Sequence, residues 1–219
     1  RISFMNEIAN ICELFGADVG HVRQAMASDH RIGSAFLFPG VGYGGSCFPK
    51  DIKALIKFAK SKGYSSEILR SVEHVNQNQK LRLVKKIRDR FGDGNLKGKR
   101  FGVWGLSFKP RTDDMREAPS IVIVNSLIEY GAEVVAYDPE SQISAKRIFG
   151  DKIKLVKKSY DALDDADALI VITEWNEFRE PDFDRMRKLM RNPIVFDGRN
   201  LFSVEQMQAQ GFEYISIGR

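Results

Sequence analysis

The chain has 219 residues, 43% of them hydrophobic and 29% charged, and a formal net charge of +5. That is the composition of an ordinary globular protein, long enough for two modest domains with buried cores. No apolar run approaches the roughly eighteen residues of a membrane span, and the N-terminus lacks the pattern of a secretory leader. Two cysteines are too few for a disulfide scaffold, so reduced thiols and a cytoplasmic location are expected.

The chain opens on Arg1 with Ile2, Met5, Ile8, Ala9 and Cys12 already at helical spacing and no capping residue ahead of them. The pattern predicts a helix over 2–15 closed by Gly16, and the abrupt start leads us to expect a piece of a longer chain. Asp18 reads as the N-cap of a second helix over 19–27. Residues 28–49 gather Pro39, Gly40, Gly42, Gly44, Gly45 and Pro49 into a long loop, a kind of segment that usually carries function.

A third helix is expected from Pro49 to Ser61, with Ile52, Leu55, Ile56 and Ala59 on its apolar face. A fourth is expected over 66–91. Its basic run, Lys80 to Arg90, has Leu81, Val84, Ile87 and Phe91 at helical spacing, which predicts that the cations form a solvated face. No nucleic-acid signature accompanies it. The two long helices suggest a dimerisation layer, and the texture changes at Gly92-Asp93-Gly94-Asn95. The expected division is a helical domain over 1–94 and a second domain over 95–219.

From residue 100 strands and helices alternate. Strands are expected over 100–106, 133–137, 153–156, 168–173, 194–197 and 213–217, with helices over 119–130, 141–149, 159–164, 182–191 and 203–210. This predicts an α/β domain, a doubly wound parallel sheet of Rossmann type. Ligands bind such sheets at the carboxyl ends of the strands. The loop after the first strand, Gly105 to Arg116, is not G-x-G-x-x-G, so no complete dinucleotide site is expected there. Its Lys and Arg content suits phosphates, or is simply an exposed basic loop. Asp138 either imitates a ribose-binding acid or belongs to an Asp-Pro turn. His21, His30 and His74 lack metal-ligand spacing, and no metal is expected.

The densest chemical signal is Val41-Gly42-Tyr43-Gly44-Gly45-Ser46-Cys47-Phe48-Pro49-Lys50-Asp51. Pro49 places Cys47 at a helix N-terminus, where the dipole and free N–H groups favour a thiolate. Lys50 adds a cation, and Asp51 shares a helix face with Cys47. A nucleophile, a cation and a carboxylate beside a glycine-rich loop form a plausible active site. Cys12 reads instead as a core residue.

The segment Gly44 to Asp51 strongly resembles the active-site segment of the UDP-glucose/GDP-mannose dehydrogenase family, and within it the enzymes acting on UDP-glucose. Arg31-Ile32-Gly33, Gly105 to Lys109, Asp114 to Ser120, Thr173-Glu174-Trp175 and Phe196-Asp197-Gly198-Arg199 agree in order and spacing, so the resemblance covers nearly the whole chain. It implies a central helical dimerisation domain and a UDP-binding domain, with the family's N-terminal NAD-binding Rossmann domain absent from the stretch given. It implies NAD-dependent oxidation of UDP-glucose to UDP-glucuronate through a thiohemiacetal and a thioester on Cys47, with Asp51 assisting. It assigns Phe36, Leu37, Phe38, Pro39, Gly40 and Gly44 to the sugar nucleotide, together with Lys109 and Arg199. Arg31 would reach the diphosphate held by a neighbouring subunit, and Lys50 and Arg116 would touch NAD. The family's catalytic lysine and asparagine match no position here, so this stretch alone is expected not to complete the reaction. Related substrates, GDP-mannose or a UDP-N-acetyl-hexosamine, and a non-catalytic nucleotide-sugar module remain the alternatives, and a homodimer is implied.

Overall fold

The computed structural model describes residues 1–92 and 95–219. Four helices come first: α1 (Ile2–Phe15), α2 (Val19–Ser28), α3 (Phe48–Ser61) and α4 (Glu67–Phe91). Their ends follow the local chemistry expected of them. Helix α1 closes at Gly16, whose N–H bonds to the Cys12 carbonyl. The Asp18 side chain caps α2 by accepting from the Gly20 N–H at 2.6 Å. Pro49 sits in the first turn of α3, and Cys47 is its N-cap.

The remainder alternates β1 (Arg100–Trp104), α5 (Pro119–Glu129), β2 (Glu133–Tyr137), α6 (Gln142–Phe149), β3 (Lys154–Leu155), β4 (Ala168–Val171), α7 (Phe183–Leu189), β5 (Ile194–Asp197), α8 (Val204–Ala209) and β6 (Glu213–Ser216). The stretch expected to be a helix over 159–164 is a short 3-10 turn, Ser159–Ala162, and a second such turn, Asn176–Phe178, was not anticipated. The strands pair in the order β3-β2-β1-β4-β5-β6 and every pair is parallel. This is the expected doubly wound sheet, with its reversal of strand order between β1 and β4. Strands β4 and β5 are buried along their full length, as strands covered on both faces must be.

The expected boundary at 94/95 falls beside residues 93–94, which lie outside the described residues. The apolar core runs across that region without a break. Leu83, Val84 and Ile87 of α4 and Met5 and Ala9 of α1 share one cluster with Phe101, Ile170 and Phe196 of the sheet. Cys12 belongs to this cluster, as expected of a core residue. The Phe91 ring meets Phe101 edge-on, centroids 5.4 Å apart, at the end of α4.

The face of α4 follows the sequence expectation in part. Val84 and Ile87 are buried and Phe91 packs on the core as expected, but Leu81 is half exposed and the buried face extends instead to Leu83 and Lys80. The neighbouring cations are occupied by partners. Glu13 of α1 takes both Arg82 and Lys86, the latter at 2.7 Å, and Lys85 pairs with Asp89. Burial pushes the Glu13 carboxyl up, but hydrogen bonds from Lys86, the Gly218 N–H and Arg82 outweigh it and hold the group below its ordinary value. The basic run is therefore an interlocked surface more than a free cationic face. Among the described residues no helix is long and apolar enough to cross a membrane, and no cluster suited to a metal ion occurs.

Candidate active site

The loop after α2 carries the site because two side chains of α4 and one of α1 hold its backbone. Asn76 accepts from the Tyr43 N–H at 2.8 Å and donates to the Tyr43 carbonyl at 3.1 Å. Gln79 donates to the Gly40 carbonyl at 2.7 Å, and Asn6 accepts from the Gly40 N–H at 2.8 Å. These amides satisfy buried backbone groups that no sheet or helix pairs. Further on, the Gly45 N–H donates to the Arg116 carbonyl at 2.8 Å, tying the loop to the segment that follows β1. Gly44 presses so closely on residues 117 and 118 that a Cβ there would lie 2.9 Å from the Ala118 Cα. Gly45 has a φ of 94° and faces the Phe108 ring, where a Cβ would meet a ring carbon at 2.8 Å. The glycines are thus required by close approach at Gly44 and by both approach and backbone geometry at Gly45.

Cys47 emerges from this loop exposed, with the Ser46 hydroxyl 3.7 Å from its sulfur. The Asp51 N–H bonds to the Cys47 carbonyl in the first turn of α3, which sets the carboxylate one turn from the thiol. Lys50 and Asp51 face each other at 3.5 Å, both largely exposed. Two clefts flank this segment.

The first, of about 520 Å3, brings together Phe36, Phe38, Tyr43 and Phe48 from the helical part with Phe108, Lys109, Glu174 and Arg199 from the sheet. Phe108 and Lys109 follow β1, Glu174 follows β4 and Arg199 follows β5. All therefore sit at the carboxyl ends of strands around the switch point, where such sheets take ligands. The Arg199 guanidinium is oriented by three partners. Its Nε donates to the Ile172 carbonyl at 2.7 Å and lies 3.2 Å from Glu174, and Nη1 donates to the Gly42 carbonyl at 3.1 Å. Its backbone N–H is held by Asp197, a fully buried carboxylate that also accepts from Leu201, Phe202 and the Tyr214 hydroxyl. Burial pushes the Asp197 carboxyl up against these donors. The Lys109 ammonium lies over the Phe108 ring at 5.3 Å. Burial, and then the Glu73 charge, push the Tyr43 phenol up to about 12, so it stays neutral at physiological pH.

The second cleft, on the other side of the cysteine, is also about 520 Å3 and is lined by Gly45, Ser46, Lys50, Lys53, Lys57 and Arg116 among others. Arg116 is anchored by a two-point contact with Asp114, at 2.8 and 3.0 Å. That hydrogen bond is the main reason its guanidinium is held above its ordinary value, and Cys47 adds a smaller contribution of the same sign. The cysteine therefore lies within electrostatic reach of Arg116.

Of the residues expected to contact the sugar nucleotide, Phe36, Phe38, Gly44, Lys109 and Arg199 converge on the first cleft. Leu37, Pro39 and Gly40 are buried under the same loop. Phe36 takes a φ of 62°, a backbone state that a bulky residue holds at a cost and that gathers at ligand sites. Lys50 and Arg116 converge on the second cleft. Arg31 stands apart, 78% exposed and forked onto Asp29. Asp138 is the turn residue of the two readings, and more. It accepts from the Glu140 and Ser141 N–H groups at the turn, and from Leu106, Ser107 and Trp175 Nε1 across the switch point.

Sequence reasoning assigned no role to Tyr43, Phe48, Phe108, Glu174, Lys53 or Glu117. Phe108 and Glu174 lie within motifs that were recognised, but only the sheet's order of strands shows that those motifs meet.

Comparison with known proteins agrees with this geometry. Residues 1–78 match the central domain of the UDP-glucose/GDP-mannose dehydrogenase family, and residues 102–204 match its UDP binding domain. The UDP-glucose 6-dehydrogenase of Pseudomonas aeruginosa is 46% identical, covering all of this chain and 49% of its own length. The UDP-glucose 6-dehydrogenase TuaD of Bacillus subtilis is 44% identical over all of this chain and 47% of its own. A solved UDP-glucose dehydrogenase from Pyrobaculum islandicum superposes with a TM-score of 0.84 at 34% identity, over 98% of this chain and 46% of that one. The chain thus spans about half the length of the curated relatives it matches.

Proposed function

The chain belongs to the UDP-glucose/GDP-mannose dehydrogenase family, and we propose on that premise that it carries the sugar-nucleotide site and the nucleophile of an NAD-dependent UDP-glucose 6-dehydrogenase. The observation that supports this best is an exposed cysteine whose chain neighbours line two cationic clefts, Phe48 the aromatic one and Ser46 the other.

In this reading the first cleft holds UDP-glucose. Lys109 and Arg199 face the diphosphate, and Phe36, Phe38 and Phe108 supply flat apolar surface for base and sugar. The backbone around Leu37, Pro39, Gly40 and Gly44 shapes the floor. Arg31, free of the first cleft, serves the ligand of a second copy. The second cleft suits NAD. Lys50, Lys57 and Arg116 present a cationic set that matches a pyrophosphate, Lys53 being taken up by Glu117 and Glu73, and the loop after β1 has no glycine fingerprint to cradle one. When bound, NAD supplies the hydride acceptor for both two-electron oxidations.

Cys47 does the covalent work. Its thiolate adds to the C6 aldehyde, forming a C–S bond and placing the negative charge on the carbonyl oxygen. Loss of hydride from that carbon leaves a thioester. Water then attacks the thioester carbonyl, the C–S bond breaks, and the thiolate departs as the carboxylate forms. Asp51, one turn along the same helix, orients that water and takes up its proton.

A homodimer completes the picture. Phe4, Ile11, Leu14 and Phe15 expose an apolar face along α1, and Leu14 and Phe15 are about four-fifths exposed. A second copy on that face would remove it from water.

The test is steady-state NADH formation by the full-length protein with UDP-glucose, GDP-mannose and a UDP-N-acetyl-hexosamine. The expected result is two NADH for each UDP-glucose and little turnover of the others. Preference for GDP-mannose, or one NADH per sugar, would contradict it.

A further inference from the structure

Glu117 is the point at which the two halves of the molecule and the cysteine loop meet. One of its carboxylate oxygens accepts from Lys53 of α3 at 2.8 Å, and the other lies 3.5 Å from Lys80 of α4. Lys80 is the unusual member, because its side chain is only 3% exposed. A buried ammonium is tolerated only beside a compensating charge, and Glu117 is the carboxylate that provides it. Lys53 is also 3.7 Å from Glu73, so α3 and α4 share a chain of alternating charges that ends on the segment after β1.

The backbone of the same residue is equally committed. Glu117 holds a φ of 54°, a left-handed state costly for a residue with a Cβ. That conformation brings its carbonyl against Gly44, while the neighbouring Arg116 carbonyl accepts from the Gly45 N–H. Helix α3 has little else to fix it. Of its residues only Pro49 is buried, and Leu55 and Phe58 are more than half exposed. Among the described residues, Lys53 is the α3 side chain that forms an ion pair with the sheet half. Cys47 is the N-cap of this lightly held helix, so whatever fixes α3 also fixes the sulfur.

We infer that Glu117 is a positioning residue: through Lys53 and Lys80 it locks helix α3 against the sheet, and so holds Cys47 at the junction of the two clefts. Although it lines the second cleft, its carboxylate is taken up by Lys53 and Lys80, so it acts through them. Its effect is on where the thiol stands, and misplacing a reacting group by about 1 Å can cost a hundredfold in rate. The inference rests on Cys47 being the nucleophile proposed above.

The test uses the full-length protein with Lys53→Met, Lys53→Arg, Glu117→Gln and the double variant Lys80→Met/Glu117→Gln. Lys53→Met and Glu117→Gln should lower kcat by about tenfold or more, and slow iodoacetamide alkylation of Cys47, with KM for UDP-glucose and NAD within about twofold. Lys53→Arg keeps the ion pair and should restore kcat. Glu117→Gln alone strands the Lys80 charge and lowers the melting temperature; the double variant should recover stability while kcat stays low. Unchanged kcat in Lys53→Met and Glu117→Gln would overturn the inference. So would a raised KM for NAD with kcat intact, which would make Lys53 a cofactor contact, or recovery of kcat together with stability in the double variant. Should Cys47→Ala remain active, the nucleophile assignment itself fails, a result separate from all of these.

Discussion

Cys47 owes its proposed role to its surroundings, since Cys12 has the same side chain and lies packed in the core. The sulfur of Cys47 is exposed at the start of α3 and open to a substrate, where that of Cys12 is buried. Cys47→Ser should therefore abolish carboxylate formation, because an alkoxide is far less accessible than a thiolate near neutral pH. NADH formation falling by less than about tenfold in that variant would remove the cysteine from the mechanism. Gly44 is the second residue on which the site depends. Gly44→Ala forces a Cβ into the backbone of residues 117 and 118 and should cost about 1–3 kcal/mol in urea unfolding, with a matching loss of activity. The glycine-rich loop and the cysteine were plain in the sequence. Glu117 was not, because its significance lies in two lysines from different helices that only the folded chain brings to it.

At the scale of elements, the site is an agreement between loops at strand ends and a loop pinned by α4. The alternation of strands and helices, the caps at Asp18 and Gly16 and the proline at the start of α3 were all legible, because each follows from local chemistry. The facing of α4 was legible in part. Val84 and Ile87 of its predicted stripe are buried, whereas Leu81 is half exposed and tertiary packing took Leu83 and carried Lys80 inside. Leu83→Ala should accordingly destabilise by about 2–5 kcal/mol, a core penalty, while Leu81→Ala should change little. Acid should loosen the joint between α3, α4 and the sheet. The hydrogen bond from Lys53, helped by the charges of Lys53 and Lys80, outweighs burial and holds the Glu117 carboxyl below its ordinary 4.5, with Glu73 the other carboxylate on Lys53. A depressed carboxylate contributes stability above its unfolded value and loses it as pH falls through the folded one. Glu117→Gln should therefore flatten the acid side of the stability profile below about pH 4.5, and an unchanged slope would contradict this reading.

For the whole molecule, the continuous core between the helices and the sheet means that the two sequence units fold against each other. The first cleft exists only because they do, since it takes aromatics from one unit and cations from the other. The apolar face of α1 is the counterpart on the outside, and Leu14→Glu with Phe15→Glu should shift the protein to a smaller species in sedimentation, leaving secondary structure intact. An unchanged sedimentation coefficient would contradict the proposed dimer contact on α1.

The central claim is that the cleft between the aromatic loop and the strand ends is a uridine sugar-nucleotide site. Calorimetric titration with UDP-glucose and GDP-mannose, repeated on Lys109→Ala and Arg199→Ala, tests it most directly. The account predicts binding of UDP-glucose in preference to GDP-mannose, weakened by about tenfold or more in each variant through loss of a charge-assisted phosphate contact. Equal affinity for the two sugars, or full affinity in both variants, would contradict it.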